Sequence, residues 1–167
     1  MTVFRPEHIL EVLERHAVEF VVIGGFAAVI HGAPHTTTDV DVTPSRRRDN
    51  LQRLSEALTE LDARIRTVDE PEGLVFAHSA SSLEHAGILN LVTTAGNLDL
   101  SFVPSGTGGF DDLRREAVRL RILGVDVSVA SLGDVIRSKE AADREKDRVV
   151  LPVLRRILEE GGDGGTG

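Results

Sequence analysis

One short run of the sequence restricts the fold more than any other feature of the chain. Residues 38–43 alternate between polar and apolar side chains. Because successive side chains of a β-strand point to opposite faces, Asp39 and Asp41 leave the same face of this strand. Val40 and Val42 leave the opposite face, which suits the core. The run therefore predicts a strand that carries a pair of carboxylates on the open face of a sheet.

This pair of carboxylates has few stable environments. Asp39 and Asp41 lie roughly 7 Å apart along the strand, so their charges repel each other unless water or a cation separates them. Asp99 occupies the polar face of another alternating run, residues 98–103. If the two strands are neighbours, the carboxylates converge on a site that can hold two divalent ions about 4 Å apart. Mg²⁺ is the expected ion, and Mn²⁺ is an acceptable substitute.

A Gly-Gly pair precedes the acidic strand. The apolar run Phe20–Ile23 predicts a buried strand that ends at Gly24 and Gly25, and Phe26–His31 fits a short helix. Glycine lets a ligand approach the backbone closely, and a helix N-terminus offers free N–H groups to an anion. A phosphate-binding turn just before a metal-binding strand is typical of phosphoryl-group chemistry.

The rest of the chain predicts an α/β fold, with a short mixed β-sheet flanked by helices and a C-terminal helical segment over the cleft. Residues 1–160 form a single domain, whose C-terminal helical segment is about 131–160. The Gly-rich residues 161–167 are expected to be disordered. The remaining predicted elements are a helix from Pro6, a helix N-capped by Ser45, a strand over 63–68, hairpins 88–94/98–103 and 118–123/125–129, a helix opened by Ser131 with Asp134, and a last helix over about 144–160 that Pro152 bends or restarts.

Composition narrows the classes of function. A net charge of -8 argues against a protein that grips nucleic acid over its whole surface, although clusters of arginine leave room for a local basic channel. Aromatic residues make up only 4% of the chain, which removes the usual stacking platform for bases. The absence of cysteine excludes disulfides and thiolate zinc sites. No signal peptide or membrane-spanning run is recognisable, so we expect a cytoplasmic protein without a membrane partner.

Three other known sequence motifs fit this chain less well. The nucleophile motif of haloacid-dehalogenase-type phosphatases needs an apolar strand before its first Asp, where this chain has Thr36–Thr38. An EF-hand loop needs Gly and Glu where this chain has Pro44 and Asn50. The glycine-rich loop 106–109 lacks the Lys-Ser/Thr of a P-loop.

Two stretches of the chain resemble a known family. Gly24–Ala28 followed by His31–Asp41 resembles the nucleotidyltransferase signature of two glycines, a short helix and Asp-x-Asp. Ser138–Asp147 also looks like the corresponding segment of the AbiEii and MenT-type toxin nucleotidyltransferases, which belong to the DNA-polymerase-β superfamily. The matches span about residues 20 to 154. In one departure, His35 occupies a position where relatives often carry Arg.

The resemblance implies an enzyme that transfers a nucleotide from an NTP to an acceptor hydroxyl. Asp39 and Asp41 are then the ligands of both metal ions. Asp99 binds one ion and helps to deprotonate the acceptor, and Lys139 contacts the triphosphate or stabilises charge in the transition state. The implied nucleotide-binding residues are Gly24, Gly25, Thr37, Lys139 and Arg144.

The acceptor is left open by the residues themselves. In the toxin relatives it is the 3′ end of tRNA, which implies the toxin half of a toxin–antitoxin pair and a cognate antitoxin as partner. An aminoglycoside-like small molecule is an alternative that the acidic net charge favours. A nucleotide-binding regulator without turnover is a second alternative, which His35 favours because a histidine is charged only below about pH 6.5.

Overall fold

The computed structural model describes residues 3–163, and side chains through residue 161. Within these residues the helices are α1 (Pro6–Arg15), α2 (Gly24–Ile30), α3 (Arg48–Glu60), α4 (Ala80–Leu83), α5 (Phe110–Leu113), α6 (Leu132–Ala142) and α7 (Glu145–Asp163). The strands are β1 (Phe20–Val22), β2 (Asp39–Pro44), β3 (Arg64–Ile65), β4 (Ile88–Thr93), β5 (Gly96–Ser101), β6 (Val118–Ile122) and β7 (Val125–Val129).

The strands form one seven-stranded mixed sheet in the order β3-β4-β5-β2-β1-β7-β6. The pairs β2–β5 and β1–β7 are parallel, and the other neighbouring pairs are antiparallel. Both expected hairpins, β4–β5 and β6–β7, are present. The α/β prediction of a mixed sheet flanked by helices is therefore confirmed. Among residues 3–163, no helix has the length and apolar character needed to cross a membrane.

One face of the central strands β2 and β5 is apolar, as the alternation of β2 predicts. Val40 and Leu98 are register partners with no exposed surface, and Val42 and Leu100 form the next pair. Leucine and isoleucine side chains of α1 and α3 belong to the same buried cluster. Because this face is filled by aliphatic side chains, the opposite face of β2 and β5 is left for polar residues.

Helix α3 begins two residues later than the sequence predicted. Ser45 does not cap it, and Arg47 stands at the N-cap position without a side-chain cap. The backbone N–H of Ser45 instead donates to the carbonyl of Glu19 at 3.0 Å, which continues the pairing of β1 with β2. The Ser45 hydroxyl accepts from the N–H of Arg47. Sheet pairing thus outweighs the local capping preference at this junction.

The predicted strand 63–68 is too long. Strand β3 covers Arg64–Ile65 at the edge of the sheet, and Thr67 already turns back toward Glu70 through a backbone hydrogen bond. The short helices α4 and α5 were not predicted, because four residues are too few to show a helical period.

The two ends of the predicted helical segment also differ in detail. The hydroxyl of Ser131 accepts from the N–H of Asp134 at 3.1 Å, which confirms Ser131 as the N-cap of α6. Helix α7 runs through Pro152 as one element, so the restart predicted there is wrong. It extends to Asp163 and therefore overlaps the first part of the expected tail. Residues 164–167 of that tail lie outside the described residues.

Candidate active site

A cleft of about 1050 Å³ lies over the polar face of β2 and β5. Its opposite wall comes from the end of α6 and the first half of α7, through residues such as Lys139, Val149 and Val153. Every residue that the sequence proposed for the site lines this one cleft: Gly24, Gly25, Thr37, Asp39, Asp41, Asp99, Lys139 and Arg144. Residues distant in sequence are therefore brought together, as expected.

A row of polar side chains crosses the sheet at the floor of the cleft. Asp41 on β2 is the register partner of Asp99 on β5, and Asp99 is the partner of Asn90 on β4. The backbone N–H of Arg66, just past β3, donates to the carbonyl of Asn90 at 2.9 Å. Register partners point to the same face, so this row places Arg66 and the two carboxylates on one side of the sheet.

Arg66 bridges two of the carboxylates. Its Nη2 donates to Asp99 Oδ1 at 2.8 Å, and its Nη1 donates to Asp39 Oδ1 at 3.5 Å. The amide of Asn97 also donates to Asp39 Oδ1, at 3.0 Å. The side chains of Arg66 and Asp99 are only 22% and 21% exposed, so water screens this ion pair less than a surface pair.

Asp41 carries the strongest electrostatic perturbation of the site. Burial raises the pKa of its carboxyl, and the nearby charge of Asp99 raises it further, to about 7. Its stabilising contacts are weak: the N–H of Phe26 donates to Oδ2 at 3.5 Å. The positive charge around Asp41 is therefore too small to keep its carboxyl group ionised at the low pH at which an ordinary aspartate is ionised.

Asp99 is perturbed in the same direction. Burial raises the pKa of its carboxyl to about 6, against the lowering effect of Arg66 and of a side-chain hydrogen bond with Asp41. Because Asp41 and Asp99 are direct register partners on β2 and β5, they titrate as a coupled pair rather than as two independent acids.

The chemistry of these residues fits a hard divalent cation, although their present arrangement fits a guanidinium. Carboxylate oxygens are the ligands that Mg²⁺ prefers, and raised carboxyl pKa values indicate charge that a dication would neutralise. Within residues 3–163, however, no group of three or more His, Cys, Asp or Glu side chains is arranged to hold a metal ion. Asp39 and Asp99 are instead directed at Arg66.

Gly24 has a steric reason to be glycine. Its φ is +62°, in the left-handed region, and a Cβ atom added there would lie 2.8 Å from Asp41 Oδ2. Helix α2 begins at Gly24, two residues before the predicted start, because the Ile23 carbonyl already accepts from the N–H of Ala27. The turn between β1 and α2 thus packs directly against the carboxylate of Asp41.

Gly25 and Thr37 border the same turn. A Cβ atom on Gly25 would lie 3.9 Å from both Asp41 Oδ2 and Thr37 Oγ1, which is ordinary contact distance. The hydroxyl of Thr37 donates to the carbonyl of Asp39 at 3.1 Å. This hydroxyl therefore fixes the entry of the chain into β2, beside the turn for which the sequence predicts phosphate binding.

The cationic wall of the cleft is organised by one buried carboxylate. Asp147 has no exposed surface and accepts from Arg144 Nε at 2.7 Å and from Lys139 Nζ at 3.4 Å. Burial alone raises the pKa of Asp147, but hydrogen bonds from Arg144 outweigh it and hold the pKa below its usual value. Asp143, with φ at 49°, ends α6 and allows α7 to turn back so that these groups meet.

Sequence reasoning missed three functional candidates: Arg66, Asn97 and Asp147. Asn97 had a detectable signal, because it precedes Asp99 by two residues on an alternating strand and so shares its face. Asp147 lay inside the segment that resembles the toxin family but was given no role. Arg66 had no local signal, because its place depends on the order of strands β3, β4, β5 and β2 in the sheet.

Comparisons with known proteins identify the fold. The sequence matches no protein-family model and no curated protein. A candidate nucleotidyltransferase from Thermotoga maritima resembles the chain with 16% sequence identity and a TM-score of 0.53, over 95% of this chain and 97% of that chain. The lincosamide antibiotic adenylyltransferase LnuA matches with 15% identity and a TM-score of 0.62, over 94% of this chain and 99% of that chain. The antibiotic-resistance factor ANT(2'')-Ia matches with 14% identity and a TM-score of 0.58, over 92% of this chain and 82% of that chain. With these neighbours, the seven-stranded sheet and its cleft identify the chain as having a nucleotidyltransferase fold.

Proposed function

We propose that the chain is a metal-dependent nucleotidyltransferase that transfers an NMP group from an NTP to an acceptor hydroxyl. One observation carries the proposal: Asp41 and Asp99 are register partners on the floor of a cleft that Lys139 and Arg144 also line. Carboxylates for cations and cations for phosphates therefore face one another across a space large enough for a nucleotide. The neighbours in the same fold support this activity.

The reaction is a displacement at the α-phosphorus of the NTP. The acceptor oxygen forms a bond to that phosphorus, the bond to the bridging oxygen breaks, and pyrophosphate leaves. Asp99 is our candidate for receiving the proton of the acceptor hydroxyl. Asp39, Asp41 and Asp99 would hold Mg²⁺ or Mn²⁺, which supplies neutralisation of phosphate charge and lowers the pKa of a bound hydroxyl.

The other residues of the cleft bind and orient the nucleotide in this proposal. Lys139 and Arg144 contact the phosphates as permanent cations, which compensates for His35 at the position where relatives often carry Arg. Backbone N–H groups of Gly24 and Gly25 at the start of α2 contribute further donors, beside the hydroxyl of Thr37. The described side chains of the cleft include no Phe, Tyr or Trp, so aliphatic groups such as Val149 contact the base.

For the acceptor we propose RNA, with the 3′ end of tRNA as the specific candidate and a toxin–antitoxin context. The resemblance of the Gly24–Asp41 and Ser138–Asp147 segments to AbiEii and MenT-type toxins supports it. Arg144 and Lys146 on the cleft wall also support an RNA acceptor, because their positive charges are suited to a phosphate backbone. A cognate antitoxin protein belongs to the same proposal.

A small-molecule hydroxyl is the second candidate, and the structural neighbours favour it. LnuA was solved with lincomycin bound, and ANT(2'')-Ia with adenylyl-2''-tobramycin. The net charge of -8 suits a cationic acceptor better than a nucleic acid.

Transfer of label from each α-labelled ribonucleoside triphosphate tests these proposals. The purified chain with Mg²⁺ is offered total RNA, isolated tRNA, lincomycin and tobramycin, beside the Asp41→Ala variant. Labelled tRNA with the wild type alone supports the RNA proposal, and labelled antibiotic supports the second candidate. NTP binding without any transfer or pyrophosphate release would leave a regulator without turnover and contradict the enzyme proposal.

A further inference from the structure

The contacts of Arg66 separate it from the other cations near the cleft. Its guanidinium touches two carboxylates at once, Asp99 at 2.8 Å and Asp39 at 3.5 Å. Lys139 and Arg144, by contrast, are held by Asp147 on the opposite wall. A planar guanidinium that bridges two carboxylates occupies the space between the oxygens that a shared divalent ion would need.

Within the described residues, the Arg66 guanidinium donates hydrogen bonds to these two carboxylates and to no other acceptor. The group is largely buried, so separation from both carboxylates without compensation is costly. The backbone of Arg66 is fixed independently, through its N–H bond to the carbonyl of Asn90. The side chain can therefore be changed without removal of the contact that anchors this edge of the sheet.

The charge at the site is only partly compensated by Arg66. Within the described residues, Asp41 forms no hydrogen bond with the guanidinium and instead accepts from the N–H of Phe26. Arg66 is the cation in direct contact with this set of three carboxylates, and it reaches two of them, Asp39 and Asp99. A dication reaching the same set supplies more charge, but it requires Asp39 and Asp99 to exchange their arginine partner for the ion.

We propose that Arg66 is an internal counter-ion that holds Asp39 and Asp99 in the metal-free chain and competes with the divalent cation for them. The inference rests on the proposed function, because it takes Asp39, Asp41 and Asp99 as the metal-binding set. Arg66 is in this sense a positioning residue: it keeps the carboxylates together before the ion arrives and weakens the binding of that ion. Its removal strengthens metal binding, whereas removal of a true ligand abolishes it.

Mn²⁺ binding to the full chain, measured by electron paramagnetic resonance without nucleotide, tests the inference. We expect Arg66→Gln to bind Mn²⁺ about tenfold more tightly than the wild type, which corresponds to about 1.4 kcal/mol. Arg66→Lys keeps the charge but loses the planar guanidinium that contacts both carboxylates, so an intermediate affinity for Mn²⁺ is expected. The matched control is Arg64→Gln, two residues earlier on the edge strand β3, where the guanidinium pairs with the exposed Asp62 at 3.3 Å. Its affinity is expected to equal that of the wild type.

Two further readouts separate competition from a change in net charge. Addition of diamagnetic Mg²⁺ to the wild type should shift the NMR signal of the Arg66 guanidinium as it leaves the carboxylates. Without metal, Arg66→Gln should melt at a lower temperature than the wild type, and saturating Mn²⁺ should raise its Tm by more.

The failures of the two proposals are distinguishable. If Arg66→Gln binds Mn²⁺ no more tightly than the wild type, or if the guanidinium signal is unchanged at saturating Mg²⁺, competition is disproved. The proposed enzyme then still stands, provided that the wild type binds Mn²⁺ and Asp41→Asn does not. If neither the wild type nor Arg66→Gln binds Mn²⁺, both proposals fail.

Discussion

Asp41 and Asp99 are direct register partners on the parallel strands β2 and β5, so their side chains emerge next to each other on the floor of the cleft. Burial raises the pKa of both carboxyls, to about 7 for Asp41, where the charge of Asp99 adds to the effect, and to about 6 for Asp99, where Arg66 opposes it. Groups with such pKa values change protonation within the range of ordinary assays.

The charge of Asp41 is predicted to be essential for transfer. Asp41→Asn keeps the size of the side chain but removes a charge from the proposed metal-binding set, so we expect transfer to fall by at least about 100-fold. Asp126→Asn is the matched control, because Asp126 is exposed and pairs with Arg121 in the β6–β7 hairpin. Retention of near-normal transfer by Asp41→Asn would exclude Asp41 as a metal ligand.

The stability of the metal-free chain is predicted to fall as the pH rises from about 4 to about 7. Because the folded-state pKa values of Asp41 and Asp99 lie above the ordinary 3.8, the folded chain keeps protons that the unfolded chain has released. The unfolded state then binds fewer protons, so the free energy of unfolding decreases with pH over this window. This contribution to stability is complete below pH 3.8 and is lost as the pH passes 7.

Urea denaturation in the presence of EDTA, repeated across that window, measures the effect. Asp41→Asn should flatten the pH dependence, because it removes the more strongly shifted carboxyl of the pair. An identical slope in the variant and the wild type would mean that Asp41 does not have a raised pKa in the folded chain.

The two glycines of the β1–α2 turn are predicted to differ sharply in tolerance. Gly24→Ala forces a side chain into the left-handed region and to within 2.8 Å of Asp41 Oδ2, so we expect a loss of about 1–2 kcal/mol in the free energy of unfolding. Displacement of Asp41 should also weaken Mn²⁺ binding. Gly25→Ala meets its nearest atoms at 3.9 Å and should fold normally. Equal stability of the two variants would contradict the geometry of this turn.

Asp147 is predicted to act through Lys139 and Arg144. Asp147→Asn removes the charge that orients both cations, so we expect the KM for the NTP to rise about tenfold, with a smaller change in kcat. A purely structural role would lower Tm without changing KM in the fraction that remains folded. The control is Asp143→Asn: Asp143 pairs with Arg148 on the surface, and asparagine tolerates its left-handed backbone. An unchanged KM in folded Asp147→Asn would rule out the positioning role.

Thr43 offers a test of the core that is independent of function. Among the described residues, its fully buried hydroxyl has no hydrogen-bond partner. Thr43→Val removes an unpaired polar group while keeping the shape, and we expect it to stabilise the chain by about 1 kcal/mol. The contrasting variant is Thr93→Val, because the Thr93 hydroxyl donates to Gly96 and accepts from Ala95, and its loss should destabilise the chain. Calorimetry that gives both variants the same sign would contradict this assignment.

Local periodicity in the sequence was enough to predict several elements of the site. Alternation over residues 38–43 placed Asp39 and Asp41 on one face, and the structure confirms it, because Val40 and Val42 are buried on the other. The Gly-Gly pair marked the turn before α2, and the structure adds a steric reason for glycine at position 24, whereas its role in phosphate binding stays a prediction. These predictions succeeded because strand alternation, turn chemistry and the cap at Ser131 depend on residues that are neighbours in sequence.

Helix and strand boundaries were less accurate where tertiary contacts compete with local preference. Ser45 looks like an N-cap in the sequence, but its N–H completes the pairing with Glu19 and the helix starts later. Pro152 is expected to bend or restart the last helix, yet α7 continues through it without a restart. In both cases packing against the sheet or the neighbouring helix outweighs a local preference of about 1–3 kcal/mol.

The sequence by itself determined which acidic side chains lie on the polar face of a strand, and only the tertiary structure decided how they meet. Asp99 joins Asp41 because β5 lies parallel to β2 in one register, and a shift by one residue would have turned its carboxylate into the core. Arg66 reaches the carboxylates because β3 is two strands away from β5 in the sheet order. Strand order and register depend on contacts between distant segments, which the local pattern of residues does not encode.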